Sequence, residues 1–177
     1  MKLGFILLAA ACVTLAIGCK PKPTTTTGSP GSSATPISRT AAPLPDSGFK
    51  AQVTLSDPPS KLRTGQKEVI TVKVKNASDV VWWQRGGEIN DRPDNKFYIA
   101  VGNRWLDKDG KLTSETEGHS GISKDLRPGE EAEMTLQITA PKEPGEYILS
   151  LDMVQEGVSW FGEKGSTTTK ARVTVVK

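Results

Sequence analysis

Cysteine is scarce in this chain of 177 residues, and the positions of its two Cys exclude several kinds of site. Neither Cys lies beyond position 19, so the rest of the chain can form no internal disulfide and no thiolate metal site. Histidine is scarcer still, because His119 is the only one. The sequence also contains no zinc-ligand spacing, phosphate-binding loop or dinucleotide fingerprint. We therefore expect no metal and no cofactor.

An excess of charge of one sign is lacking too. The formal net charge is +3, and residues 49–177 contain equal numbers of basic and acidic residues, 19 of each. A domain without net charge or a run of like charges is not typical of a nucleic-acid-binding protein. Apolar residues make up 36% of the sequence, which is not typical of a bundle of membrane helices.

Residues 1–18 are typical of a secretion signal. An apolar stretch from Leu3 to Ile17 follows one Lys and, at about 15 residues, is short for a membrane span of about 20. Small residues then precede Cys19, an arrangement that resembles the lipobox of bacterial lipoproteins, although Ala16 is less common at its position. An ordinary signal peptide with an incidental Cys, or an uncleaved anchor, is the alternative.

The lipobox resemblance implies a location. It implies cleavage before Cys19, a diacylglycerol thioether on the sulfur of that residue, and an acylated new N-terminus carrying a fatty acid such as palmitate. More than one acyl chain makes membrane attachment durable. We expect a protein of the cell envelope, lipid-anchored outside the cytoplasm, in the outer membrane if the cell has one.

Residues 19–48 are predicted to be a disordered tether. The segment from Lys20 to Ser47 is rich in Pro, Thr, Ser and Gly, and only Ile37 and Leu44 are large aliphatic residues. Such a segment cannot bury enough apolar surface to offset its ordering entropy. As a random coil, about 28 residues span roughly 30 Å, which would leave the following domain free to reorient near a membrane.

Residues 49–177 show the alternation of apolar and polar residues that marks half-buried strands. The clearest case is the segment GEYILSLDMVQEGVSWFG at 145–162, which predicts a central hairpin with a turn at Glu156-Gly157. About nine short strands with turn signals every 8 to 12 residues predict an all-β fold, an immunoglobulin-like antiparallel sandwich of 7 to 9 strands. Tyr147, which enters a late strand, resembles a tyrosine corner. A break at Gly102-Asn103 suggests a bulge.

Several segments together resemble a known type of module. The stretches LRPGE at 126–130, PGEY at 144–147 and VQEGVSWF at 154–161, with Trp82 and Arg104-Trp105, look like a bacterial Ig-like module. Similar modules are appended to some glycosyltransferases and other surface-polysaccharide proteins. More distantly, the chain is similar to the four-tryptophan domain of autophagy receptors. The resemblance covers residues 49–177 and implies a non-catalytic sandwich used for recognition or assembly.

Aromatic residues are the main candidates for a binding face. Neighbouring residues of a strand point to opposite faces, so each of the pairs Trp82-Trp83 and Trp160-Phe161 has one outward member. Exposed rings can stack on sugars or anchor a protein partner, and polar neighbours can orient either ligand. Core filling for the rings and solvated positions for the polar residues are the alternative. The predicted binding residues are Trp83, Trp105, Trp160, Phe161, Arg104, Gln155 and Glu156.

Other polar clusters favour structural roles. The stretch Asp107-Lys108-Asp109-Gly110 lacks the remaining oxygen ligands of a calcium loop and predicts a hairpin turn. A metal at His119 with Glu115 and Glu117 is disfavoured against an exposed loop. The spacing of Ser120 and Ser123 around His119 supports no triad, so we expect no enzyme and no catalytic residues.

The predicted function is non-catalytic binding of a glycan or a protein at the cell envelope. The alternative is a structural or accessory subunit of an envelope assembly. Glycan binding predicts an outward Trp in a shallow groove with polar neighbours. Assembly predicts a contiguous apolar patch or a bare strand edge.

Overall fold

The protein is described by a computed structural model that covers residues 41–86, 94–113 and 117–177. The predicted signal, Cys19 and the tether up to residue 40 lie outside these ranges. Within them, no helix is both long and apolar enough to cross a membrane. The helical segments in the described ranges are 3₁₀ turns of three residues, Asp46–Gly48 and Gly162–Lys164. The strands are β1 Ala51–Leu55, β2 Lys61–Arg63, β3 Lys67–Asn76, β4 Ile99–Asp107, β5 His119–Gly121, β6 Glu131–Thr139, β7 Gly145–Gln155, β8 Ser159–Trp160 and β9 Thr169–Val176.

The strands form two sheets. The first has the order β1-β3-β6, and the second has the order β2-β9-β7-β4-β5, with β8 paired to β7. All pairs are antiparallel except that of β2 with β9. This order is immunoglobulin-like, which confirms the predicted all-β sandwich. Pro58-Pro59 follow β1, and because Pro cannot continue its ladder, the chain leaves the first sheet there and β2 pairs with β9 of the second.

The core lies between the sheets and follows the alternation in the sequence. In β6, the even-numbered positions from Ala132 to Ile138 are buried while their neighbours face solvent. Burying a side chain such as Leu136 fully stabilises the fold by about 1.5–3 kcal/mol. Two Trp rings complete the core. Trp82 donates its indole N–H to Gly48 O at 3.0 Å, and Trp105 donates to Thr139 O at 2.8 Å.

Two turns that the sequence predicts are present. The Tyr147 hydroxyl donates to Glu143 O at 3.0 Å, which forms the tyrosine corner. In the hairpin after β4, the Asp107 carboxylate accepts the N–H groups of Asp109 and Lys111, both at 2.9 Å. Gly110 takes a φ of +83° there, a conformation that favours glycine.

The predicted bulge at Gly102-Asn103 is wrong. Strand β4 pairs with β7 without interruption, and Gly102 lies opposite Asp152. Glycine is needed there for another reason, because a Cβ would lie 2.7 Å from the ring of Trp160. The interruption of the apolar pattern at Gly102 therefore marks the place where the Trp160 ring lies on β4, and not the extra residue of a bulge.

The segment Ala42–Gly48, here called the strap, contacts the sandwich although it was predicted to belong to the disordered tether. The Gln155 carboxamide accepts the Leu44 N–H at 2.8 Å and donates to Ala42 O at 3.1 Å. The Leu44 side chain packs against the core. The ordered sandwich thus extends toward the N-terminus beyond the predicted boundary at Phe49.

Candidate binding face on the outer sheet

The candidate site lies on the outer face of the second sheet. In β4 and β7, odd-numbered residues such as Trp105 and Leu151 point into the core, and even-numbered residues point outward. Strand β8 places Trp160 on this outer face, where it forms a small apolar cluster with Ala100 and Val154. The next residue, Phe161, points the other way.

Trp160 is the aromatic centre of this face, but it is covered. The Arg104 guanidinium lies 3.9 Å above the centroid of its ring, and the His119 ring contacts it edge-on with centroids 5.2 Å apart. Only 8% of Trp160 is exposed. A cation over an aromatic face is worth about 0.5–2 kcal/mol, depending on desolvation. The indole therefore positions Arg104 rather than offering a bare platform.

Acidic residues surround this stack. Arg104 lies 3.2 Å from a carboxylate oxygen of Glu163 and 3.3 Å from one of Glu117. His119 Nδ1 lies 2.7 Å from Glu156 Oε1. The Glu163 contact is a hydrogen bond, whereas the contact of Arg104 Nε with Glu117 is an ion pair without hydrogen-bond geometry. Burial acts to raise the pKa of Glu163, but hydrogen bonds from Arg104 and Ser159 hold it below its usual value.

A cleft of about 390 Å³ opens beside the stack, and we call it the outer cleft. Strands β4, β7 and β9 supply its floor, the turn after β4 supplies one wall, and the segment between β8 and β9 supplies the other. The side chains that line it include Arg104, Leu106, Leu112, Ser150, Asp152, Glu163 and Lys170.

Asp152 is the least exposed charged residue of the outer cleft, with 5% of its surface accessible. Its two carboxylate oxygens accept the N–H groups of Gly162 and Met153, both at 2.8 Å. Burial raises the pKa of Asp152 to about 6, against the lowering effect of these bonds and of Arg104. Sequence reasoning missed this residue. The available signal was an acid in the middle of a long apolar strand.

The structure brings together three of the seven predicted binding residues. Arg104 and Trp160 are in direct contact, and Glu156 joins them through His119. Trp83 is half-buried and follows the bridge between Trp82 and Leu126, in the connection from β3 to β4.

Three other predicted residues are buried, which corrects their assignment to a binding face. Trp105 is 1% exposed, and Phe161 is fully enclosed and packs edge-on against Phe49 and Trp82. Gln155 is 1% exposed, and its carboxamide is occupied by the strap. Period-2 alternation separates the two faces of a strand, but it does not say which face a neighbouring segment covers.

No metal centre is visible in the part of the chain that the structure describes, because no three His, Cys, Asp or Glu side chains there are grouped to hold an ion. Glu117 contacts His119 at 3.6 Å. Glu115, the third residue considered from the sequence, lies outside the described ranges.

The chain matches no family model and no curated protein sequence. It is similar to solved structures at low identity. A β-glucosidase from Listeria innocua in complex with glucose is 15% identical with a TM-score of 0.41, and the match covers 72% of this chain and 16% of that one. The CARDB domain of PF1109 from Pyrococcus furiosus in complex with di-metal ions is 16% identical with a TM-score of 0.38, covering 72% and 91%.

Spo0M, a sporulation control protein from Bacillus subtilis, is 17% identical with a TM-score of 0.35, and the match covers 72% of this chain and 49% of that one. Similarities of this size carry no conclusion about what the chain binds. The class of the protein follows instead from its own strand order, which defines an immunoglobulin-like β domain.

Proposed function

We propose that this protein is a lipoprotein of the cell envelope that presents its Ig-like sandwich as a non-catalytic binding domain for a glycan. The anchor is supported by the apolar stretch and small residues before Cys19. The binding role is supported by the surface chemistry of the second sheet. Lipid on Cys19 would hold the domain at a membrane, outside the cytoplasm, where envelope glycans are within reach.

The observation that carries the glycan proposal is the outer cleft next to the Trp160–Arg104 stack. It is a concave site of small-molecule size, and it combines charged and hydroxyl groups with a few apolar ones. The alternative of a large apolar interface finds less support. The exposed large apolar residues in the described ranges, Val69, Leu112 and Val158, lie on different elements.

A binding assay with matched Trp variants tests the proposal. The probe is a glycan array together with isolated cell wall, and the protein is the soluble segment 20–177, which keeps the strap. We expect the wild type to retain a saccharide and Trp160→Ala to lose most of the binding, because Arg104 then loses its support. Trp83→Ala, which alters a half-buried Trp outside the cleft, serves as the control. Both variants must first show the cooperative unfolding of the wild type.

A second candidate is the assembly role, which one feature favours. The groove between β5 and β6, about 290 Å³ in volume, is lined by Ser120, Gly121, Glu133 and Thr135. Both strands are sheet edges, and such edges can pair with a partner strand. If the array and the cell wall give no saccharide signal and an envelope protein is recovered instead, the glycan proposal is refuted and the assembly role replaces it.

A further inference from the structure

A row of polar side chains crosses the floor of the outer cleft. Ser150 of β7 lies directly opposite Arg104 of β4 on one side and Lys170 of β9 on the other. Neighbouring strands are about 4.8 Å apart, so the three side chains stand at intervals of about 5 Å along one line. A guanidinium, a hydroxyl and an ammonium are thereby presented to the same cleft.

Asp152 adds a fixed acceptor beside this row. It lies two residues after Ser150, on the same outer face of β7. Its carboxylate is held in place by the N–H groups of Gly162 and Met153. An ionised carboxylate has about four acceptor sites, so two hydrogen bonds leave capacity for a ligand. The orientation of the group is set before any ligand arrives, which lowers the entropic cost of binding.

The balance of charge in the cleft indicates what kind of ligand fits. The lining contains two cations, Arg104 and Lys170, and two anions, Asp152 and Glu163. A ligand of either charge would meet a like charge as well as an opposite one. Hydroxyl groups both donate and accept, so an uncharged polyol can satisfy donors and acceptors together. Leu106 and Leu112 supply an apolar wall for the C–H face of a sugar, and Leu112 is 54% exposed.

We propose that the outer cleft is a subsite for one unit of an uncharged saccharide. Ser150, Asp152 and Lys170 bind its hydroxyl groups, and Leu106 and Leu112 pack against its C–H face. Arg104 is held by Trp160 and by Glu163 and closes the side of the subsite. This inference rests on the proposed glycan-binding function and adds the ligand class and the contact residues.

The test measures saccharide affinity by NMR titration of the soluble segment 20–177. The neutral probes are cellobiose, lactose and N,N′-diacetylchitobiose, and the charged probes are glucuronate and glucosamine. We expect a neutral probe to shift the amide signals of Ser150, Asp152 and Lys170. We expect Lys170→Gln to weaken its binding about tenfold or more, because the ligand loses a hydrogen bond from a charged group.

The control is Arg172→Gln. Arg172 is an exposed cation two residues further along the outer face of β9, outside the cleft residues, and this variant should bind as the wild type does. Ser150→Ala, which removes one hydroxyl, is a second variant that should also weaken binding.

Three results would overturn the inference, and they differ in what they mean for the proposed function. Glycan binding that is unaffected by Lys170→Gln and Ser150→Ala would place the saccharide elsewhere and leave the proposed function intact. Preference for glucuronate or glucosamine over every neutral probe would refute the ligand class alone. Absence of any saccharide binding, on the array as well as by NMR, would refute both proposals.

Discussion

Asp152 shows how one residue ties the outer cleft to stability. Its burial raises the pKa of the carboxyl from 3.8 to about 6. Between these two values the unfolded chain has released the proton while the folded protein keeps it, so the native state binds more protons. Stability therefore falls as the pH rises through about 4 to 6, and the loss is complete above the folded pKa. The charged groups that face it, Arg104 and Glu163, act in opposite directions on this pKa.

We predict that Asp152→Asn removes this part of the pH dependence. The amide oxygen can still accept one of the two N–H groups, and the amide carries no charge to desolvate. The loss of the other hydrogen bond is the same at both pH values. The free energy of unfolding of the variant minus that of the wild type should therefore be larger at pH 7.5 than at pH 4. The measurement is the urea midpoint of each protein at both pH values. The difference in midpoint between the wild type and the variant cancels the titration of all other groups, which both proteins share.

Glu163→Gln is the control with the opposite sign. The pKa of Glu163 is lowered in the folded protein, so its ionised form stabilises the fold above the unfolded pKa, and this contribution is lost as the pH falls. The effect is small, because Glu163 lies at the surface. A difference between wild type and Asp152→Asn that does not change with pH would contradict the account of Asp152.

At the scale of elements, the strap is the segment for which amino-acid composition predicts disorder although it is bound to the sandwich. Its residues Ala42–Gly48 belong to a stretch with few apolar side chains, which predicts disorder. Two hydrogen bonds with Gln155, the hydrogen bond from Trp82 to Gly48 O and the packing of Leu44 hold it to the sandwich nevertheless. A long-range contact between residues 111 positions apart leaves no trace in local composition.

We predict that Gln155→Ala releases the Ala42–Leu44 end of the strap without unfolding the sandwich, while Gly48 stays bonded to Trp82. The N–H of half-buried Leu44 and the carbonyl of exposed Ala42 would lose their partners, and detachment lets water replace them. Hydrogen exchange at the Leu44 amide should become faster by at least an order of magnitude. Gln52→Ala, an exposed Gln of β1, is the matched control and should leave this exchange rate unchanged. Persistent protection of Leu44 in Gln155→Ala would refute the role of the carboxamide.

At the scale of the whole molecule, the sandwich holds together without any disulfide between its sheets. The two Trp that donate to backbone carbonyls, Trp82 and Trp105, belong to the same core cluster as Leu149 and Leu151, which are fully buried in β7. Packing and backbone pairing therefore provide the stability that a disulfide supplies in antibody domains. The outer face of the same sheet is left for the cleft.

The membrane anchor predicted at Cys19 can be tested on the full-length chain. We predict that Cys19→Ala abolishes incorporation of an alkyne-labelled palmitate in a bacterial host and leaves the stretch Leu3–Ile17 uncleaved, which mass measurement of the protein checks. The predicted thioether forms on the Cys19 sulfur, so Ala at this position has no group to carry the lipid. Cys12→Ala, inside the apolar stretch, is the matched control and should stay labelled. Labelling that survives in Cys19→Ala would refute lipidation at this residue.

Period-2 alternation of apolar residues, turn residues and the missing cysteines were enough to predict a disulfide-free β-sandwich, because alternation directly reflects the pleat of a strand. The tyrosine corner and the turn after β4 were also predictable, since both depend on residues close in the chain. The outer cleft could not be predicted from the sequence. Arg104, Ser150 and Lys170 meet only through the registers of three strands, and the pairing of strands is a property of the sheet.

The same limit explains the residues assigned to the wrong place. The sequence alone predicted that Trp160 and Phe161 point to opposite faces, as neighbouring side chains of a strand do, and they do so although β8 ends at Trp160 and Phe161 begins the 3₁₀ turn. Tertiary structure decided that Phe161 enters the core, that Arg104 and His119 cover Trp160, and that the strap occupies Gln155. Each of these outcomes depends on a partner far away in sequence, whose position is set only when the sheets pack.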